Sequence, residues 1–178
     1  MAPQTVDKTL QNLSLTVLLN SADMELPYNI EGIQGTATFS DNSTAPITGW
    51  RKEELGTPIS AGANLQLMVQ DSAYPYPAGV SVQITGWVLN FLPRPGTTNL
   101  SPLAGNPPRV LSWVGAFGQT EGVFSLVNQG PDQSGNSNLL VNTGTWDWCL
   151  MVQMQITNAD GTTTFKTFVS DPEMEMEN

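Results

Sequence analysis

The side chains able to do chemistry in this chain are few. Carboxylates cluster at Asp23 and Glu25, at Glu53-Glu54, and along Asp171, Glu173, Glu175 and Glu177. Two carboxylates facing each other across a cleft, one with a raised pKa, would serve glycoside hydrolysis. Nothing in their spacing sets these acids across a cleft, so they read as solvated groups that keep the protein soluble. On a strand, Glu173, Glu175 and Glu177 would share one face and diverge toward water. A calcium ion wants six to eight converging oxygens, and no EF-hand or repeated acidic loop is present, even with Asp71 and Asp160 near predicted loop tips. Cys149 sits between Trp148 and Leu150 in the most strand-like segment. With no histidine to act as its base, it reads as an inert, buried or half-buried thiol. There is no G-x-S-x-G, no phosphate-binding G-x-x-x-x-G-K-S/T and no dinucleotide fingerprint. The expectation is no catalytic residue, no metal ligand and no cofactor.

Aromatic side chains are the better candidates, for binding. Tyr74 and Tyr76 alternate with Pro75 and Pro77 in a predicted loop, and five tryptophans stand at Trp50, Trp87, Trp113, Trp146 and Trp148. Exposed Tyr and Trp rings offer flat apolar platforms with a polar edge, suited to sugar rings or a lipid surface. Trp87, Trp146 and Trp148 fall inside alternating runs and read as core. The candidate binding residues are therefore Tyr74, Tyr76, Trp50 and Trp113.

Composition narrows the classes. Charged residues make up 12% of the 178, about half the usual share. Six Lys+Arg against sixteen Asp+Glu leave a net charge of -10. Six scattered cations cannot build the basic face that nucleic acid requires. A single cysteine excludes a disulfide scaffold and any cysteine-rich zinc site. No window approaches the roughly 18 apolar residues of a membrane helix. The start, Met1 to Lys8, lacks a cationic segment followed by an apolar core, so the expected location is the cytoplasm, with non-classical release compatible with the chain.

The elements that would position these side chains are strands. Leu13, Leu15, Val17 and Leu19 alternate with Ser14, Thr16 and Leu18. Leu65, Leu67 and Val69 alternate with Gln66, Met68 and Gln70; Val80, Val82 and Ile84 form another set; Trp146, Trp148, Leu150, Val152, Met154 and Ile156 form the longest. Side chains on a strand point alternately to opposite faces, so each run makes one apolar and one wetter face. No helical stripe recurs, and only Gly49 to Leu55 suggests a single helical turn. Sixteen Gly and thirteen Pro punctuate the runs. The stretches 72–79, 92–109 and 128–138 read as loops, and Asn158-Ala159-Asp160-Gly161 as a tight hairpin. The expected fold is all-β, a single antiparallel β-sandwich, Ig-like or jelly-roll-like, of eight to ten strands. Residues 1–8 would be a loose arm and 9–178 the one domain.

Gly144-Thr145-Trp146-Asp147-Trp148, the strand to Ile156, the Asn158–Gly161 turn, Phe165 to Val169 and then Ser170-Asp171-Pro172 resemble the closing hairpin of the bacterial inclusion body protein family, the PixA/AidA type. Ile47-Thr48-Gly49-Trp50-Arg51 is loosely similar to an earlier strand of that family. Together these cover about a third of the chain, and Ser170 stands where the family usually has an aromatic. A second resemblance runs through Thr120-Glu121-Gly122-Val123-Phe124-Ser125-Leu126-Val127-Asn128, which is similar to the glycine-rich strand of aegerolysins, small acidic lipid-binding sandwiches.

The first resemblance implies a non-enzymatic protein that associates with itself as a homo-oligomer or cellular inclusion. Low charge density leaves little repulsion to oppose such packing, and methionines such as Met68, Met151 and Met154, each of which read singly fills the core, also suit apolar contacts between copies. The alternative is a lectin-like or toxin-like module that binds glycan or lipid through the Tyr74–Tyr76 loop and neighbouring tryptophans.

Overall fold

The computed structural model describes residues 10–47, 63–93, 95–96, 98, 110–114, 117–126, 139–140, 145–170 and 175–177. Among them lie twelve strands: β1 (Leu10–Leu19), β2 (Gly32–Phe39), β3 (Thr44–Ile47), β4 (Ala63–Asp71), β5 (Ser81–Pro93), β6 (Val110–Val114), β7 (Phe117–Thr120), β8 (Val123–Leu126), β9 (Leu139–Leu140), β10 (Thr145–Thr157), β11 (Thr163–Val169) and β12 (Glu175–Glu177). They form a seven-stranded sheet in the order β3-β2-β1-β4-β8-β7, with β9 also on β4, and a five-stranded sheet in the order β11-β10-β5-β6, with β12 also on β10. The all-β sandwich expected from alternation is present. The strand count exceeds the expected eight to ten because of short pieces such as the two-residue β9, where alternation has no length in which to show.

The core is the sum of the inward faces. Leu13, Leu15, Val17 and Leu19 from β1, Leu65, Leu67 and Val69 from β4, Phe124 from β8, and Leu150, Val152 and Met154 from β10 are all buried in one apolar cluster. Each such side chain contributes about 1.5–3 kcal/mol by leaving water.

Two features depart from a simple antiparallel reading. First, β1 and β4 are parallel, in register from Asn12↔Asn64 to Leu19↔Asp71. The β2–β3 hairpin occupies the far side of β1, so the chain crosses over and re-enters beside β1 in the same direction, as a parallel neighbour requires. Second, β5 changes phase. Val82 and Ile84 are buried, and so are Trp87 and Leu89. Gln153 pairs with Gly86 and Met154 with Ile84, which leaves Thr85 as one extra residue. This bulge shifts the alternation by one and turns the indole inward. Thr85 Oγ1 donates to Gln153 Oε1 at 3.0 Å across the bulge. Trp87 Nε1 has no acceptor among the described residues.

β11 and β12 follow one another along the edge of β10 that β5 leaves free. Ser170 closes β11 there. It is buried, its N–H donates to Leu150 O and its Oγ accepts from Leu150 N, both at 2.8 Å. A hydroxyl thus extends the ladder by one bond. The hairpin expected at Asn158–Gly161 is present. Asn158 N donates to Thr162 O at 2.8 Å, and Asp160 Oδ1 accepts from Thr162 N at 2.9 Å. The arm 1–8, the helical turn at 49–55, Glu53-Glu54 and the loop 128–138 lie outside the described residues, as do most of 92–109.

Candidate functional site

The parallel pairing of β1 with β4 brings both strands out at the same pole, where Ser72 N donates to Leu19 O at 2.8 Å. The loops that follow them, 20–31 and 72–80, therefore lie side by side. The β10–β11 hairpin joins them: a Cβ placed on Gly79 would stand 2.9 Å from Ala159 Cβ.

Asp71, the last residue of β4, organises this pole. It is only 2% exposed. Its Oδ1 accepts from Ser21 N at 2.9 Å and Ala73 N at 3.1 Å, and its Oδ2 accepts from Tyr76 Oη at 2.9 Å. A buried carboxylate without such partners would be strongly unfavourable. Here each loop donates to it, so the charge fixes both. Burial, with the Asp71 charge and hydrogen bond behind it, holds the Tyr76 phenol neutral well above its usual range.

Lys166 enters from the facing sheet. On β11 it shares the inward phase with Phe168, and it is 5% exposed. Its Nζ donates to Ser21 O at 2.7 Å and to Asp23 O, and lies 5.2 Å from the centre of the Tyr28 ring. Burial pushes its pKa below the ordinary lysine value, while the charges of Asp23 and Asp71 act against that shift. Tyr28 in turn packs on Phe168, ring centres 5.6 Å apart.

Between these loops opens a cavity of about 540 Å3. Tyr76, Pro75 and Pro77 supply one wall, and Val80, Val82 and Ile156 extend its apolar lining; Met24, Tyr28, Asn158, Thr164 and Lys166 also line it. Of the candidates named from sequence, the structure brings Tyr76 here. Tyr74 faces elsewhere. It is 42% exposed, meets Tyr76 edge-on at 5.4 Å between ring centres, and sits over Gly122. Glu121 and Gly122 both have positive φ, 50° and 77°, the geometry of a two-residue hairpin turn between β7 and β8. A Cβ on Gly122 would lie 2.5 Å from Tyr74 Cβ, so glycine makes the seat for that ring. The loop thus offers one exposed tyrosine platform and one tyrosine built into a wall. Trp50 lies outside the described residues. Trp113 stands opposite Trp87 in the β5–β6 pairing, and its side chain lies outside them. Trp87 is core.

The sequence does not mark Lys166, Tyr28 and Ser21 as site residues, and it marks Asp71 only as an acid near a loop tip. A usable signal did exist: Lys166 lies two residues before Phe168 and so on its face. Cys149 is half-buried and free. No three His, Cys, Asp or Glu side chains gather into a metal-holding group among the described residues, and no helix among them is long and apolar enough to cross a membrane. No family model, curated protein or solved structure matches this chain.

Proposed function

We propose that this protein is a non-enzymatic binding module whose loop pole takes a small apolar or amphipathic ligand, the lipid-binding form of the expectation drawn from the tyrosine-proline loop. The observation that carries this reading is the cavity of about 540 Å3 walled by that loop. Its volume falls in the range of about 300–1,000 Å3 usual for small-ligand pockets, and its mostly apolar lining with a few polar groups is the usual composition. Met24 and Leu26, 82% and 78% exposed, stand on the adjoining loop and add apolar surface beside it. Glycan stacking has less support, since Tyr74 is the one exposed ring of the pair. The test is titration with a fluorescent apolar probe. Saturable binding is expected in the native protein and its loss in Ala22→Trp, which places an indole on the cavity lining. Equal binding to both proteins overturns the reading.

A second reading, self-association of the inclusion-body type, is favoured by a different observation. The outward face of the larger sheet carries no ionisable side chain across β3, β2, β1, β4 and β8 in a chain of net charge -10. Thr36, Ser14 and Gln66 form one row across it, and Gln34, Thr16, Met68 and Ser125 the next. A shallow depression of about 380 Å3 lies among them. A face free of charge lets copies approach where like-charge repulsion is least. Sedimentation over a wide concentration range tests this. Thr16→Glu should shift the protein toward monomer, and a native protein that stays monomeric at high concentration removes the reading.

A further inference from the structure

The cavity lining contains one ionised side chain, Lys166. An ammonium has three protons to donate. Two go to the carbonyls of Ser21 and Asp23. No acceptor takes the third among the described residues, where the ammonium meets the Tyr28 ring instead. No carboxylate lies within ion-pairing distance of it among those residues either. The carboxylates whose charges act on it are committed elsewhere: Asp23 Oδ1 accepts from Glu25 N at 3.0 Å, Asp71 spends its oxygens on Ser21, Ala73 and Tyr76, and neither is part of the lining. The Tyr76 hydroxyl donates to Asp71, away from any ligand. The cavity therefore presents one cation without an ion-pair partner among apolar walls. A buried charge of this kind gains most from an anion that brings its own oxygens and needs no further desolvation of the walls.

We propose that the ligand is a small amphipathic carboxylate, its anionic head against Lys166 and its apolar body along Tyr76, Val80, Val82 and Ile156. This rests on the binding-module reading and adds the sign and class of the head group. The net charge of -10 opposes an anion at a distance, but physiological salt screens such fields beyond about 8 Å, and contact with the ammonium decides the preference.

The experiment compares three ten-carbon probes by calorimetry on the full chain: decanoate, 1-decanol and decyltrimethylammonium. Decanoate should bind at least about tenfold more tightly than decanol, the size of a charge-assisted bond in a desolvated site. That preference should collapse in Lys166→Met, which keeps an apolar stem. Should Lys166→Met fail to fold, the comparison of probes on the native protein, with Ala22→Trp removing decanoate binding, still decides. Decanol equal to decanoate, a preference for the cationic probe, or decanoate binding that survives Ala22→Trp each overturns the carboxylate assignment. In the first two cases the cavity remains a binding site for apolar chains. Failure of all three probes to bind overturns the cavity reading as well.

Discussion

Asp71 and Lys166 meet through a single peptide unit on each side of Ser21: the carboxylate accepts its N–H at 2.9 Å and the ammonium donates to its carbonyl at 2.7 Å. The two charges come from opposite sheets, β4 and β11. Neither touches the other, yet together they hold the first residues of the 20–31 loop in place. The cavity wall therefore depends on a polar clasp laid across an apolar sandwich.

Asp71→Asn should break that clasp from one side. An amide can accept at only one of its two positions: with Oδ1 kept on Ser21 N and Ala73 N, Nδ2 faces Tyr76 Oη, which must turn to accept and loses the acceptor of its own proton. The expected loss is about 1–3 kcal/mol, read from urea unfolding with an unchanged slope. In a double-mutant cycle with Tyr76→Phe the combined loss should be smaller than the sum, since both variants remove the same bond.

Alkaline pH should reveal Tyr76. Its ordinary value is 10.0, and burial with Asp71 behind it raises this in the folded protein. Above about pH 10 the unfolded chain gives up the phenol proton while the folded one keeps it, so stability falls as pH rises. Lys166 acts with the opposite sign. Its lowered pKa makes unfolding take up a proton just below 10.5, so its own contribution improves as pH rises there. Tyr76→Phe should be less stable than the native protein near neutrality but lose less between about pH 9 and about pH 11. Denaturant titrations across that interval measure the difference, and parallel declines would refute the assignment.

Gly122→Ala should cost about 1–3 kcal/mol, from an alanine held at positive φ and a methyl driven into Tyr74. Repeating it in a Tyr74→Ala background separates the causes. The overlap is then gone and only the dihedral strain remains, so thermal melting should show a smaller drop.

Deleting Thr85 should be tolerated. Ile84 and Gly86 would become neighbours, as their partners Met154 and Gln153 already are, so Val82, Ile84, Trp87 and Leu89 would keep the inward phase in a regular ladder. The loss should be about 0.5–1.5 kcal/mol, the size of the Thr85–Gln153 hydrogen bond that goes with the residue. Urea unfolding followed by tryptophan fluorescence measures it, and loss of cooperative unfolding would show that the bulge is not the single extra residue.

Most of the sandwich was legible because alternation is a local property. Leu13 to Leu19 and Leu150 to Ile156 declare their faces within a few residues. The parallel partnership of β1 and β4 was not legible, since register between distant strands is decided by which inward faces fit together. Trp87 is core, as its alternating run implies, but the one-residue shift that puts it there shows only when Gln153 and Met154 are laid opposite. The site was less legible. Tyr76 was found through its loop chemistry, and its hydroxyl's partner was not. Asp71 and Lys166 escaped because charged side chains read as solvated until three-dimensional partners supply their hydrogen bonds. Both sit in inward phase at strand positions, and that conflict between residue type and phase is the physical trace they leave in the chain.

The parallel neighbour of β1 also sets an order of events during synthesis. Leu13, Leu15, Val17 and Leu19 can dock against β2 early, but their other flank stays bare until Leu65 to Asp71 has emerged from the ribosome. Long-range pairing of this kind is slow and leaves a greasy nascent edge open to strangers. Each pause between the end of β3 and the start of β4 therefore lengthens the time for which that flank stands bare, however stable the finished sandwich is.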